Sequence, residues 1–407
     1  PQQQEAIDAG RRWLDAPKHA VSPVFYLAGY AGSGKSTLAE EFNRHIGGGA
    51  LAGAYTGKAA SVMRKKGLAN ATTIHRLIYD PVGSDAEAQF KELKKELEGL
   101  ERGEASDLAP QARQLRIEAL RRQMRSIEDD ARQPKFVLKD ESELSSAPLL
   151  ILDECSMVSQ DMAEDLLSFG CRVLVLGDPA QLPPVRGTGY FTDRQPDVLL
   201  TEIHRQAQDN PILRLATLAR QGKEITFGEW ESPSGSARVV KRVTADEALR
   251  ADMVLCGTNN KRQAINRRHR DLGGHVHPMP ELGERLCCLK NNHDLGLQNG
   301  TLWTVTQTDA QWAPGESTIY LHVRPEEGGT DIGIPVEAPL FYNDQEKPAW
   351  SSNELFTWGY ALTCHKAQGS QWDNIVAFDD WPSHRSYREW LYTLITRAAT
   401  ELTLVRS

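Results

Sequence analysis

The stretch Gly29-Tyr-Ala-Gly-Ser-Gly-Lys-Ser36, entered from the apolar run Val24-Phe-Tyr-Leu-Ala28, constrains this chain more than any other segment. It calls for a buried strand, then a glycine-rich turn, then a helix opening near Lys35, the order that builds a phosphate-binding loop. Glycine lets backbone N–H groups curl around an anion, and the helix directs its positive end at it. Within this cradle of Gly32, Ser33, Gly34, Lys35, Ser36 and Thr37, Lys35 is suited to neutralise β- and γ-phosphates and Ser36 to ligate magnesium. The expected ligand is a nucleoside triphosphate.

Hydrophobic spacing around the loop predicts an α/β fold. A helix is expected over Pro1–Asp15, with Ile7 and Leu14 on one face, another over Thr37–Ile46, and a second strand at Gly53–Tyr55 after the break Gly47-Gly48-Gly49. Leu149–Leu152 and Cys171–Leu176 read as further core strands. Between them lies a charge-rich stretch from Phe90 to Arg132. There Leu93, Leu97 and Leu100, then Leu120, Met124, Ile127 and Ala131, predict two amphipathic helices in an antiparallel hairpin. Phe136–Leu138 and the polar run to Ser146 predict a small β-hairpin. Beyond Pro196, Met253–Cys256, Ile375–Phe378 and Leu402–Val405 suggest a second parallel sheet, with a helix over Lys261–Arg270. Short strands between Gly283 and Val323 suggest a β-rich insertion. The expected division is residues 1–77 and 147–195 for the first α/β domain, with 78–146 inserted, and 196–279 and 354–407 for the second, with 280–353 inserted.

Composition narrows the class without naming a partner. The 407 residues, 40% hydrophobic and 25% charged, suit a globular protein with two moderate cores. No stretch reads as a signal peptide or membrane span, so no membrane partner and a cytoplasmic location are expected. The six cysteines lack paired metal-ligand spacing and mostly sit in apolar runs, as reduced core residues would. A net charge of -8 argues against a surface that is basic throughout but leaves room for a local phosphate-binding groove.

Asp153-Glu154 follows a core strand downstream of the loop, where Asp153 can hold the magnesium shell and Glu154 can prepare water. Gly177-Asp-Pro-Ala-Gln-Leu-Pro-Pro-Val185 follows the next strand and would bring Asp178 and Gln181 beside the nucleotide. The Gln181 amide can both donate and accept toward a γ-phosphate. Arg205 and Arg397, from the second half, can reach across a cleft to stabilise charge on a transferring phosphate.

The ordered set Gly29–Ser36, Thr56-Gly-Lys-Ala-Ala60, Thr72-Thr-Ile-His75, Asp153-Glu-Cys-Ser-Met157, Gly177–Val185, Tyr360-Ala-Leu-Thr-Cys-His-Lys-Ala-Gln-Gly-Ser370 and Tyr392–Ala398 resembles a superfamily 1B DNA helicase of the RecD-like and phage Dda-like branch. The resemblance implies two RecA-like domains, with ATP and Mg2+ between them and 5′-to-3′ movement on single-stranded DNA. It further implies that Gln3 recognises adenine, that Arg205 and Arg397 meet the γ-phosphate, and that Gly369 forms a nucleotide-contacting turn. Thr56, His75, Thr363, His365 and Lys366, together with Asn259, would line the DNA path. The later β-rich insertion would be SH3-like. Either Phe136–Ser146 or the helical excursion would meet the duplex junction. Expected partners are single-stranded DNA, single-strand/duplex junctions, and replication, recombination or nuclease proteins around a monomeric core. Two rival readings share these motifs: an ATP-driven protein-displacement motor with weak unwinding, and a nucleotide-gated DNA-binding recombination scaffold. Because the chain begins just before Gln3, a preceding leader or domain stays open.

Overall fold

The computed structural model describes residues 2–65, 67–81, 93, 95–97, 99–100, 102, 114, 116–121, 124, 136–183, 189–191, 193–202, 209–292, 295–308, 312–326, 328–342, 351 and 353–406. Its first half is built on a six-stranded sheet in the order Ala71–Thr73, Leu51–Ala54, Leu150–Asp153, Val173–Gly177, Val24–Gly29, Val198–Leu200. Every pairing in it is parallel. Strands covered on both faces must be apolar throughout, and Val24–Gly29 and Val173–Gly177 are buried at every position. Phe25, Leu27 and Ile151 pack with Leu38 and Phe42 on one face, while Tyr26, Leu150 and Leu152 pack with Leu166 on the other. The register sets Ala28 beside Gly177 and Ala54 beside Asp153. The phosphate loop and the Asp153-Glu154 turn therefore both open at the carboxyl ends of interior strands.

The second six-stranded sheet runs Ala361–Thr363, Met253–Cys256, Trp372–Phe378, Ala398–Val405, Gly235–Val240, Gly228–Ser232. Its strands are parallel except the last, which folds back antiparallel on Gly235–Val240. Helices Pro211–Gln221 and Tyr387–Ile395 bury Leu215, Trp390 and Leu394 against it. A five-stranded antiparallel sheet, Ile332–Glu337, Thr318–Pro325, Leu302–Thr308, Arg285–Cys288, Phe356–Trp358, forms a separate small core. Thr318–Pro325 alternates buried and exposed positions, as a strand with one wet face must.

Three expectations need correction. Phe136–Leu138 does not turn back on Lys139–Ser146. It pairs antiparallel with Tyr79–Pro81, and Glu143–Ser145 forms a short 3-10 helix. The reason is local: the Ser142 side chain caps Leu144 N–H and donates to Leu77 O, bending the polar run into a turn. Val198–Leu200, placed after the break at Pro196, completes the first sheet by pairing with Leu27–Gly29. Phe356–Trp358, which falls within the bounds expected for the second α/β domain, pairs instead with Leu286–Cys288 in the small sheet. Short strands carry too little periodicity to declare their partners.

Of the expected helical hairpin, the described part packs Leu93, Leu97 and Leu100 with Ile117 and Leu120, and Arg116 pairs with Glu96 at 2.7 Å. Ile127, Ala131 and the connecting turn from Gly103 to Pro110 lie outside the described residues. All six cysteines are free and buried. Among the described residues no helix is long and apolar enough to cross a membrane.

Candidate functional site

A cleft of about 590 Å³ lies between the two large sheets, lined by Gly32, Ser33, Gly34, Lys35, Ser36, Thr37, Asp153, Glu154, Asp178 and Gln181 from the first half and by Gly369 and Arg397 from the second. The loop bends through Gly32 at φ 77° and Gly34 at φ 88°, left-handed positions that a side chain would strain. Helix Lys35–His45 starts immediately after it. Lys35 Nζ donates to Gly29 O at 2.5 Å and to Tyr30 O at 3.2 Å, which holds its charge over the loop. Gln3 lies at the rim, with Nε2 donating to Ser33 O at 3.1 Å.

Two features fit a phosphate ligand. Ser33 is 1% exposed and its Oγ has no hydrogen-bond partner among the described residues, a buried hydroxyl that an anionic oxygen would satisfy. Asp153 and Glu154 meet at the strand end, where Glu154 N–H donates to Asp153 Oδ1 at 2.8 Å. Glu154 holds φ 52° and ψ 43°; among the described residues it is the one non-glycine with positive φ. Such strain persists only where the surroundings impose it, and it aims the carboxyl at the cleft. Burial raises the Glu154 pKa, opposed by the Arg397 charge, while Asp153 raises it further and Lys35 opposes. That favours a carboxyl able to exchange a proton nearer neutrality than a free glutamate would.

Arg397 is 4% exposed and is held by Thr393 O at 3.1 Å, Ser370 O at 3.1 Å and Thr396 Oγ1 at 3.2 Å. Gly369 adopts φ +73°, and a Cβ there would meet Ala59 Cβ at 3.1 Å and Thr56 Oγ1 at 3.3 Å. The two halves thus touch backbone to helix at this turn. Arg205 lies outside the described residues.

The expected strand-binding residues sit near carboxyl ends of both large sheets. Thr56 follows Leu51–Ala54 and its Oγ1 accepts from Ala59 N–H at 3.2 Å. His75 stands between the rings of Tyr55 and Tyr79, at 5.9 and 5.8 Å, and burial lowers its pKa. Thr363, buried at the end of its strand, accepts from Lys366 N–H at 3.4 Å; Lys366 is exposed as a residue, yet burial around its amine lowers its pKa. His365 lies 6.0 Å from the Trp381 ring and 5.7 Å from His384; burial, then His384, lowers its pKa. Asn259 is exposed at the first turn of helix Asn259–Leu272.

Sequence reasoning missed three contributors. Tyr392 joins the halves through its hydroxyl, which accepts from Ala31 N–H at 2.8 Å and donates to Asp178 Oδ2 at 2.7 Å. It opens a motif already singled out, yet nothing in a one-dimensional pattern points its ring at the phosphate loop. Lys58 is 9% exposed and places Nζ 4.3 Å from the centre of the Trp372 ring, a cation–π contact across the interface. Trp381 is recognisable only through its packing on His365.

The AAA-domain family model matches residues 14–241, more than half of the chain, and the model for the UvrD-like helicase C-terminal domain matches 359–405. The chain belongs to the AAA-domain family. This AAA-domain chain is 27% identical over 287 residues to the ATP-dependent RecD2 DNA helicase of Deinococcus radiodurans, covering 63% of this chain and 36% of that protein. It is 26% identical over 293 residues to the conjugal transfer protein TraA of Rhizobium radiobacter, covering 64% of this chain and 24% of that protein. The chain therefore spans about a third or less of the length of these curated relatives. Among solved structures, the chain resembles Bacteroides Pif1 bound to single-stranded DNA, with TM-score 0.52, 18% identity and coverage of 97% and 91% of the two chains. Candida albicans Pif1 helicase gives TM-score 0.50 at 16% identity, covering 98% and 94%. The fold is accordingly the two-domain RecA-like arrangement.

Proposed function

We propose that this chain is an ATP-dependent DNA helicase that moves 5′ to 3′ on single-stranded DNA. The observation that carries the reading is the shared cleft: the phosphate loop and Glu154 come from one sheet, while Arg397 and Gly369 come from the other. A nucleotide bound there bridges two bodies, so cleaving its terminal phosphate changes what holds them together. In this reading Gln3 recognises the adenine, Lys35 and the loop amides hold the phosphates, Gln181 and Asp178 sense the terminal one, and Glu154 takes a proton from the attacking water. Arg397, with Arg205, stabilises charge at the transferring phosphoryl group. Ser36 and Asp153 would hold Mg2+, which when bound neutralises phosphate charge.

Thr56 and His75 belong to the first half, and Asn259, Thr363, His365 and Lys366 to the second. Alternating grip by the two groups would turn each hydrolysis into a directed step along the strand. The names of the relatives support the substrate: one is a DNA helicase, and a structural neighbour is bound to single-stranded DNA. Single-strand/duplex junctions, and partners in replication, recombination or repair, follow from the same reading, as do a monomeric core and a cytoplasmic location. The domain division proposed moves the first boundary past Leu200 and assigns Phe356–Trp358 to the SH3-like insertion.

Forked duplexes carrying either a 5′ or a 3′ single-stranded tail test the reading with ATP and with a nonhydrolysable analogue. Strand separation is expected only from the 5′ tail and only with ATP, and Lys35→Ala should abolish it. A 3′-tail preference would overturn the direction. Hydrolysis and streptavidin displacement without strand separation would instead favour the protein-displacement motor.

A further inference from the structure

We propose that Tyr392 is a positioning residue: it ties the phosphate loop to the helix end that presents Arg397, so that loop and arginine are set in register across the cleft. The inference rests on the reading of the cleft as an ATP-hydrolysing site. Its basis is a run of contacts at one end of helix Tyr387–Ile395. The Tyr392 hydroxyl takes the Ala31 N–H, from within the loop, at 2.8 Å and gives its own proton to Asp178 Oδ2 at 2.7 Å. Next to it, Thr393 Oγ1 accepts from Leu182 N–H at 2.9 Å, and Gln368 Nε2 donates to Leu182 O at 3.2 Å. Thr393 O and Thr396 Oγ1 in turn accept from the Arg397 guanidinium. Arg397 lies two residues past the helix end, and its Nε is held on Thr393 O at 3.1 Å, so the tyrosine hydroxyl and the guanidinium are fixed to the same end of one helix.

Tyr392 is 2% exposed and Asp178 7%, so both bonds are shielded from water. Burial, with the Asp178 charge, holds the phenol pKa far above its ordinary value, and the hydroxyl stays protonated as a donor. A second tie is made by the residue before Ala31. The Arg220 guanidinium, on helix Pro211–Gln221, stacks 3.7 Å from the centre of the Tyr30 ring. Tyr30 and Ala31 both pack on the core of the second half. The loop residues just before the Gly32–Ser36 cradle are thus held by the second half as well as by their own sheet, where Tyr30 N–H donates to Leu200 O at 3.4 Å. A role confined to packing would need the ring; the hydroxyl's bond to a loop amide is what positioning needs.

The test compares the full chain with Tyr392→Phe, which keeps the ring and removes the hydroxyl, and with Arg220→Gln. The ATP KM and kcat are measured with saturating oligo-dT, and the Kd of a fluorescent ADP analogue and the thermal midpoint are measured alongside. Misplacing a reacting group by an ångström costs up to about 100-fold in rate. Tyr392→Phe is therefore expected to lower kcat roughly 10- to 100-fold, with KM and analogue Kd changed less than about threefold and the protein still folded. Arg220→Gln should lower kcat in the same direction by a smaller factor. A folded Tyr392→Phe protein with wild-type kcat overturns the proposal, as does a fall in kcat matched by an equal loss of nucleotide affinity. If Tyr392→Phe does not fold, Arg220→Gln decides: reduced kcat at unchanged KM supports the tie, and wild-type kcat overturns it. A wild-type chain without DNA-stimulated hydrolysis, indistinguishable from Lys35→Ala, would sink the helicase reading itself and the proposal with it.

Discussion

At Glu154, stability and chemistry pull in opposite directions. Burial raises its pKa from the ordinary 4.5, so the folded protein binds this proton more tightly than the unfolded chain does. Its contribution to stability is therefore most favourable below the ordinary value and is lost as pH rises through the raised one. The same ionised form that costs stability is the one able to accept a proton from water. Glu154→Gln should accordingly raise the thermal midpoint at pH 8, with the gain vanishing near pH 4, while hydrolysis falls by roughly 100- to 10,000-fold. Differential scanning fluorimetry across pH and a phosphate-release assay read the two effects separately. A midpoint that drops at pH 8 would show that the carboxylate is stabilising where it stands.

Between elements, the small antiparallel sheet is fastened to helix Asn259–Leu272 by one buried ion pair. Arg270 Nε meets Glu284 Oε1 at 2.7 Å, with Arg270 11% and Glu284 0% exposed. Glu284 also accepts from Arg270 Nη2 at 3.0 Å, Tyr360 Oη at 3.0 Å and Glu281 N–H at 2.9 Å, so its lone pairs are well used. Arg270 lies 3.9 Å from the centre of the Trp358 ring, on the strand that escaped the expected boundary. Removing one partner strands a buried charge, and Glu284→Ala should cost about 3–5 kcal/mol in urea unfolding. A loss below about 1 kcal/mol would place this pair with ordinary surface salt bridges.

Across the whole molecule, the expected strand track draws on both halves, and they meet where the Gly369 turn lies on Thr56 and Ala59. Lys366 is the lysine of that set, exposed as a residue on the second half although burial around its amine lowers its pKa. Lys366→Ala should weaken single-stranded DNA binding several-fold and reduce the slope of log K against log salt by about 0.7, the value for one phosphate contact on a single strand. Fluorescence anisotropy with labelled oligo-dT at several salt concentrations measures it. An unchanged slope would remove Lys366 from the track, whatever the affinity.

The phosphate loop, the apolar strands and the carboxylates at their ends were legible in the sequence because each is local: strand, turn and helix are specified within a few residues of one another. The order of the motifs carried the resemblance for the same reason. What the chain order could not state was pairing between distant segments. Val198–Leu200 and Phe356–Trp358 are too short to reveal which sheet completes them, and the hairpin expected at Phe136–Ser146 gave way to a partner at Tyr79–Pro81. The ties of Tyr392 to Ala31 and Asp178, and of Lys58 to Trp372, join residues hundreds of positions apart. Such contacts arise only when two separately folded sheets close on one cleft, because hydrogen-bond geometry and burial belong to the packed molecule.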